Sequence, residues 1–187
     1  MEKRKHNFLI ISLLFYFSLN SCAFSTQIEK LNKDIINAQK ILLKNGSLKN
    51  EIIASEFNRL RKIFLNKLPI DTLSDKKEYI LFESFDSQSA IYQMFMYNMN
   101  ITYEFKYFAP NDSLIINKTN KTYSNFIISN ILNENFEKIK ERQTEQGFVT
   151  GGVRVYVYLI KYKNDILNIK PFYFDEFHDA ISDIPLH

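Results

Sequence analysis

The spacing of the apolar residues changes close to Pro69, and this change is the strongest constraint on the fold of the chain. Before Pro69, apolar residues recur three and four positions apart, which is the spacing of one face of an α-helix. The first stripe is Ile28, Leu31, Ile35, Ala38 and Leu42, and the second is Ile53, Phe57, Leu60, Phe64 and Leu68. Gly46 is expected to end the first helix and Ser47 to cap the second. The pattern predicts an N-terminal αα-hairpin.

After residue 77 the chain is rich in Tyr, Phe, Ile and Val, the residues that favour β-strands. Turn-forming residues separate short runs of these residue types, and the segments predicted as strands are 78–85, 90–98, 101–108 and 113–118. A helix is an open alternative for 90–98, because a short apolar run does not decide the period.

One further helix and one further hairpin complete the predicted fold. Residues 122–146 read as a single helix that Gly147 ends, with an apolar face of Phe126, Ile127, Ile131, Phe136 and Ile139. Residues 153–174 form the clearest hairpin, with turn chemistry at 163–165. The following acidic residues are expected to form a solvated tail. The fold class is therefore α+β: the αα-hairpin, then an antiparallel sheet with one further helix packed on it.

The N-terminus has the pattern of an export signal. Lys3, Arg4 and Lys5 precede an uncharged run from Phe8 to Leu19, which is shorter than the ~20 apolar residues of a membrane-spanning helix. The last residues before the single cysteine are Leu19, Asn20 and Ser21. This arrangement resembles the lipobox of bacterial lipoproteins. The resemblance covers the first 22 residues only.

The resemblance implies how the chain is processed and where it is located. A diacylglyceryl group would be attached to Cys22, the bond between Ser21 and Cys22 would be cut, and the new amine would be acylated, for example with palmitate. Residues 1–21 would be a cleaved signal peptide, 22–26 a lipidated tether and 27–187 a single α+β domain. The protein would be anchored to a membrane of the bacterial cell envelope, facing the periplasm or the surface. Two or more acyl chains give a stable anchor.

The charge of the chain argues against a nucleic-acid partner. The formal net charge is +3, and removal of residues 1–21 lowers it by two, so much of the basicity belongs to the export signal. Residues 27–68 are nevertheless basic, whereas 171–187 contain acids and no Lys or Arg. Anionic head groups would attract the basic segment. The alternation of basic and acidic residues along it favours the other interpretation, a solvated helical surface.

The sequence contains few residues suited to catalysis or metal binding. Asp175, Glu176, His178 and Asp179 could supply metal ligands, but a single histidine in an acidic tail does not make a three- or four-ligand site. The segment 147–155 lacks the spacing of a phosphate-binding loop. We therefore predict no metal and no cofactor. Paired carboxylates remain the catalytic alternative, and the candidates are Glu83, Asp86 and Glu104.

One row of side chains in the 153–174 hairpin is a candidate partner-binding face. Val153, Val155, Val157 and Leu159 are expected to contact the helices, and the opposite row to lie half exposed. That row contains Arg154, Tyr156, Tyr158 and Tyr162, with Tyr103 and Tyr107 as further members. Tyr and Arg are enriched where proteins bind partners. The competing interpretation is a sheet surface covered by the chain itself, which is common in antiparallel sheets and is favoured here.

These observations together favour a membrane-anchored lipoprotein without catalytic activity. Its expected function is to bind or scaffold another envelope protein, and a more specific hypothesis is that it is an inhibitor or immunity-type partner. The alternative is an envelope hydrolase that uses two carboxylates.

Overall fold

A computed structural model shows the fold of the chain. It describes residues 26–46, 48, 50–69, 78–98, 101–119, 121–146, 153–163, 166–177 and 180–183. The predicted α+β class is confirmed, because helices pack on an antiparallel sheet of six strands.

Two helices form the predicted N-terminal hairpin. Helix α1 includes residues 26–44 and α2 spans Glu51–Lys67. Gln39 donates to the backbone of Ala54 and Arg61 donates to Asn32, so the helices run antiparallel. All five residues of the first apolar stripe are buried, as are four of the second, with Ile53 partly buried.

The ends of these two helices confirm one prediction and correct another. Gly46 follows α1 with a φ of 71°, the left-handed conformation that favours glycine. The N-cap of α2 is Asn50 rather than Ser47, because the Asn50 side chain accepts hydrogen bonds from the backbone N–H groups of Ile52 and Ile53. Ser47 itself lies outside the described residues, as do 22–25 of the tether, and Thr26 is already helical.

Six strands form the main sheet, and their bounds are β1 Glu78–Asp86, β2 Ile91–Asn98, β3 Ile101–Phe108, β4 Ser113–Thr119, β6 Arg154–Lys163 and β7 Ile166–Asp175. Their order in the sheet is β4-β3-β2-β1-β6-β7, and every neighbouring pair is antiparallel. A 3-10 turn, Ala109–Asn111, joins β3 to β4. The predicted strands and the 153–174 hairpin are confirmed, including a strand over 90–98. Most of the turn expected at 163–165 lies outside the described residues.

The single helix predicted over 122–146 is wrong. The segment contains a short strand, β5 (Lys121–Tyr123), and two helices, α3 (Asn125–Leu132) and α4 (Phe136–Gln146). Glu134, which lies between the two helices, has a φ of 60°, and the side-chain amide of Asn133 donates to the backbone carbonyl of Ser129. The chain therefore turns at these residues. Gly147, the expected helix end, lies outside the described residues.

The C-terminal segment is also more ordered than the sequence indicates. Phe177 and Ala180 are buried, and strand β8 (Ile181–Asp183) pairs with β5. Residues 178–179 and 184–187 lie outside the described residues.

Helices cover both faces of the sheet, which corrects the expectation of helices on one face. On one face, α1 and α2 pack on the odd-numbered residues of β1 and the even-numbered residues of β6. On the other face, α3, α4 and Tyr123 of β5 pack on Ile80, Phe82, Val155, Val157 and Leu159. Strand β1 lies in the middle of the sheet and is almost completely buried.

Candidate partner-binding surface

The predicted lipidation and cleavage residues, Cys22 and Ser21, lie outside the described residues. Within the part of the chain that the structure describes, no helix is both long and apolar enough to cross a membrane.

The aromatic row predicted as a partner-binding face is covered by the chain itself. Tyr156 and Tyr158 are buried beneath α1 and α2. Arg154 is bonded to Asp175 and its guanidinium lies over the ring of Tyr173. Tyr162 is partly buried and meets Tyr79 edge-on. The interpretation favoured from the sequence, a surface covered by the chain itself, agrees with the burial of Tyr156 and Tyr158, because the N-terminal hairpin uses this face of the sheet for its own core. Tyr103 and Tyr107 are partly buried, like Tyr162.

The three carboxylates considered for catalysis do not converge. Glu83 points to the α1–α2 face of the sheet, whereas Glu104 pairs with Phe95 and points to the opposite face. Glu104 accepts hydrogen bonds from Gln93 and Lys106. Asp86 is the last residue of β1, and hydrogen bonds from the Ser89 hydroxyl and the backbone N–H of Gln88 in the following turn lower its pKa. A glycosidase-type pair made of Glu83 and Glu104 is excluded by the sheet between them.

Glu83 is instead half of a buried ion pair with Arg61. Arg61 Nε and Nη2 donate to the two carboxylate oxygens at 2.6 and 2.7 Å, and both side chains are completely buried. Arg61 Nη1 donates to the side-chain oxygens of Asn58 and Asn32. Burial raises the pKa of Glu83, while Arg61 acts in the opposite direction. The pair joins α2 to the centre of the sheet and is structural.

The residues considered for a metal site give no cluster in the described ranges. His178 and Asp179 lie outside them, and no group of three potential ligands occurs among the described residues. The glycine-containing segment 147–152 also lies outside the described residues.

A groove of about 460 Å³ opens between the first turns of α2 and the ends of β2 and β3. Its walls contain apolar side chains and two tyrosine rings, and the lining residues are Glu51, Ile52, Ser55, Glu56, Tyr92, Tyr107 and Ala109. Ile52 is 78% exposed although it is a large aliphatic residue. Asn50 caps α2 two residues earlier, so Ile52 lies in the first turn of the helix.

A chain of polar contacts holds the outer wall of the groove. Glu56 accepts from Arg59, the Arg59 guanidinium lies 5.2 Å from the centre of the Tyr107 ring, and the Tyr107 hydroxyl donates to Asp112 at 2.9 Å. The hydrogen bond to Asp112 raises the pKa of Tyr107. Because Asp112 follows the 3-10 turn in a left-handed conformation, the turn orients the wall.

Strand β4 continues the groove as an open edge of the sheet. It pairs with β3 on one side, and no described strand pairs with its other side. Leu114 lies next to Tyr107 on the groove face and is 40% exposed, whereas Ile115 lies on the opposite face and is 44% exposed. The other edge strand, β7, contains Pro171, which has no backbone N–H. The groove and the β4 edge together are called the β4 surface below.

Sequence patterns contain a signal for the buried pair but not for the β4 surface. Arg61 follows Phe57 by four residues on the buried stripe of α2, and Glu83 alternates with Tyr79 and Leu81 on one face of β1. Charged residues at apolar positions of two elements indicate a pair. The β4 surface depends on which strand is last in the sheet, and no local pattern gives that order.

Comparison of the chain with protein-family models, with curated proteins and with solved structures found no match.

Proposed function

We propose that this protein is a lipoprotein of the bacterial cell envelope whose domain binds another envelope protein without catalysing a reaction. Acyl chains on Cys22 anchor it to the membrane. The resemblance of residues 1–22 to lipoprotein signals supports the anchor. The observation that supports binding is the β4 surface, where an unpaired strand edge and exposed aliphatic side chains lie beside a groove.

The partner that suits this surface is an extended strand of another protein. An exposed edge offers a row of backbone N–H and C=O groups, and a strand that pairs with it satisfies them. Leu114 and Ile115 point to opposite faces, so aliphatic side chains of the added strand would pack on both faces. An acid placed opposite Lys118 would complement its charge. An inhibitor or immunity-type protein acts in this way when it covers a segment of its target.

Glu83 and Glu104 point to opposite faces of the sheet, so these two carboxylates do not support the alternative of a hydrolase. The binding hypothesis does not need convergent polar residues. It needs a strand edge whose backbone groups can pair with an added strand. Strand β4 meets this need better than β7, because β4 contains no proline and every one of its residues has a backbone N–H.

A photocrosslinking amino acid tests the proposal in intact cells. We expect Ile115→p-benzoylphenylalanine to give a discrete crosslinked product, and the same substitution at Asn168, exposed on the β7 edge, to give none. After the partner is identified and purified, its addition should slow hydrogen exchange of β4 amides and leave β7 amides unchanged. Leu114→Lys should abolish both effects.

Three results would contradict the proposal. The first is the absence of any product from position 115, and the second is the same product from both positions. The third is a product with twice the mass of the chain, which would assign β4 to contact with a second copy rather than a different protein.

A further inference from the structure

Helix α1 has a basic stripe on the side that faces away from the sheet. At 100° per residue the stripe occupies about 100° of the helix circumference and is about 21 Å long. All of its residues are exposed, and they are Lys30, Lys33, Asn37, Lys40, Ile41 and Lys44. The stripe lies opposite the buried residues of α1, so packing of the domain leaves it uncovered.

The lysines of this stripe are not neutralised by neighbouring acids. Glu29 and Asp34 lie beside the stripe, and Glu29 is 4.0 Å from Lys62 of α2. Among the described residues, none of the four lysines forms an ion pair, and Lys40 donates only to Asn37. The acids of α1 therefore border the stripe, and the only charged residues within it are the four lysines.

The stripe begins close to the proposed anchor. The helical Thr26 is four positions after Cys22, and an extended chain of four steps spans at most ~14 Å. Ile41, which is 50% exposed, lies at one border of the stripe, between Lys40 and Lys44 in the sequence. Basic side chains exposed this close to a membrane anchor are attracted by anionic head groups.

We propose that the lysine stripe of α1 docks on the anionic head groups of the membrane that holds the anchor. This inference rests on the proposed lipidation of Cys22. Acyl chains fix one point of the protein, and the docked helix fixes its orientation, with α1 nearest the bilayer and the sheet beyond it. Attraction of ~1 kcal/mol per lysine corresponds to about fivefold in the docking equilibrium for each of the four.

Spin labels on the lipidated protein test this orientation. Cys22 is the only cysteine of the chain, so lipidation leaves no competing thiol, and Ile41→Cys and Ile115→Cys each provide one label site. The proteins are reconstituted into phosphatidylglycerol–phosphatidylethanolamine vesicles or into phosphatidylcholine vesicles. We expect the label at position 41 to be shielded from an aqueous nickel chelate in the first vesicles only. Salt at about 1 M, where the Debye length is ~3 Å, should expose it.

Two charge-matched variants identify the stripe as the cause. Removal of its four lysines should lower the docking equilibrium several hundredfold, at about fivefold each, in the variant K30Q/K33Q/K40Q/K44Q. Two exposed lysines on α4, on the face of the sheet away from α1, provide a control with the same change in net charge. The control variant, K138E/K140E, should dock normally.

The inference is overturned if the label at position 41 on vesicle-bound protein is as accessible as the label at position 115. It is also overturned if the two charge-matched variants reduce shielding equally. Failure of the anchor itself looks different: Cys22 would take up a second label, and the protein would not float with the vesicles.

Discussion

The buried pair of Arg61 and Glu83 predicts an asymmetric response to mutation. Glu83→Leu leaves Arg61 buried without its carboxylate, and arginine keeps its charge at every accessible pH. Arg61→Met leaves the Glu83 carboxyl without its cation, and that carboxyl can bind a proton. At high pH the two single variants should therefore lower the free energy of unfolding by similar amounts. At low pH the loss should be smaller in Arg61→Met than in Glu83→Leu.

The geometry gives the size of the effect. Both side chains are completely buried and joined by two short charged hydrogen bonds, and removal of one partner from such a pair costs ~3–5 kcal/mol. With an m value of about 2 kcal/mol per molar urea, the unfolding midpoint falls by about 2 M. Replacement of both charges by apolar residues in R61M/E83L removes the unpaired charge and should restore stability to within ~1 kcal/mol of the starting protein.

Urea unfolding between pH 5 and pH 8 measures these effects. In Arg61→Met the pKa of Glu83 rises further, because Arg61 was the group that lowered it. A raised pKa in the folded state means that stability is greatest below the pKa of the unfolded chain, ~4.3, and is lost as the pH rises. Arg61→Met should thus regain stability towards pH 5, whereas Glu83→Leu should not. A cost below 1 kcal/mol for either single variant, or additive losses in the double variant, would refute this reasoning.

Two further substitutions test local features of the fold. Ala90 has a φ of 52°, in the left-handed region. Ala90→Gly should raise the free energy of unfolding by about 0.5 kcal/mol, because the relief of backbone strain, ~1–2 kcal/mol, exceeds the entropy cost of ordering a glycine, ~0.5–1 kcal/mol. A loss of stability on urea unfolding would contradict this. Lys170 lowers the pKa of Glu134 in the folded state. This interaction stabilises the fold fully above pH ~4.3, the pKa of an unfolded glutamate, and the stabilisation decreases as the pH falls below that value. Glu134→Gln should therefore lower the midpoint at pH 7 and not at pH 3, and an equal loss at both pH values would contradict it.

Segments with a sustained apolar period were predictable from the sequence. The stripes of α1 and α2 repeat over four or five turns, so the helices and their buried sides follow directly. The helix predicted over 122–146 shows the limit of this signal. The step from Ile131 to Phe136 is five residues, so the apolar period is already interrupted at the polar residues 133–135. The structure shows that the chain turns there, with Glu134 in a left-handed conformation.

The coverage of the sheet could not be predicted from alternation alone. Alternation in β6 separates Val155 and Val157 from Tyr156 and Tyr158 correctly, but it does not say that both rows are buried. That outcome depends on the two helix pairs packing on opposite faces. The candidate site was missed for a similar reason, because the exposure of Leu114 and Ile115 follows from the position of β4 at the end of the sheet.

Intact-mass measurement of the protein extracted from membranes is the most direct test of the proposed anchor. We expect a chain that starts at Cys22 and is heavier than residues 22–187 by the mass of a diacylglyceryl group, with or without a further acyl chain. Cys22→Ser should yield a chain without this added mass. A wild-type chain that retains residues 1–21, or that starts at an unmodified Cys22, would contradict the account.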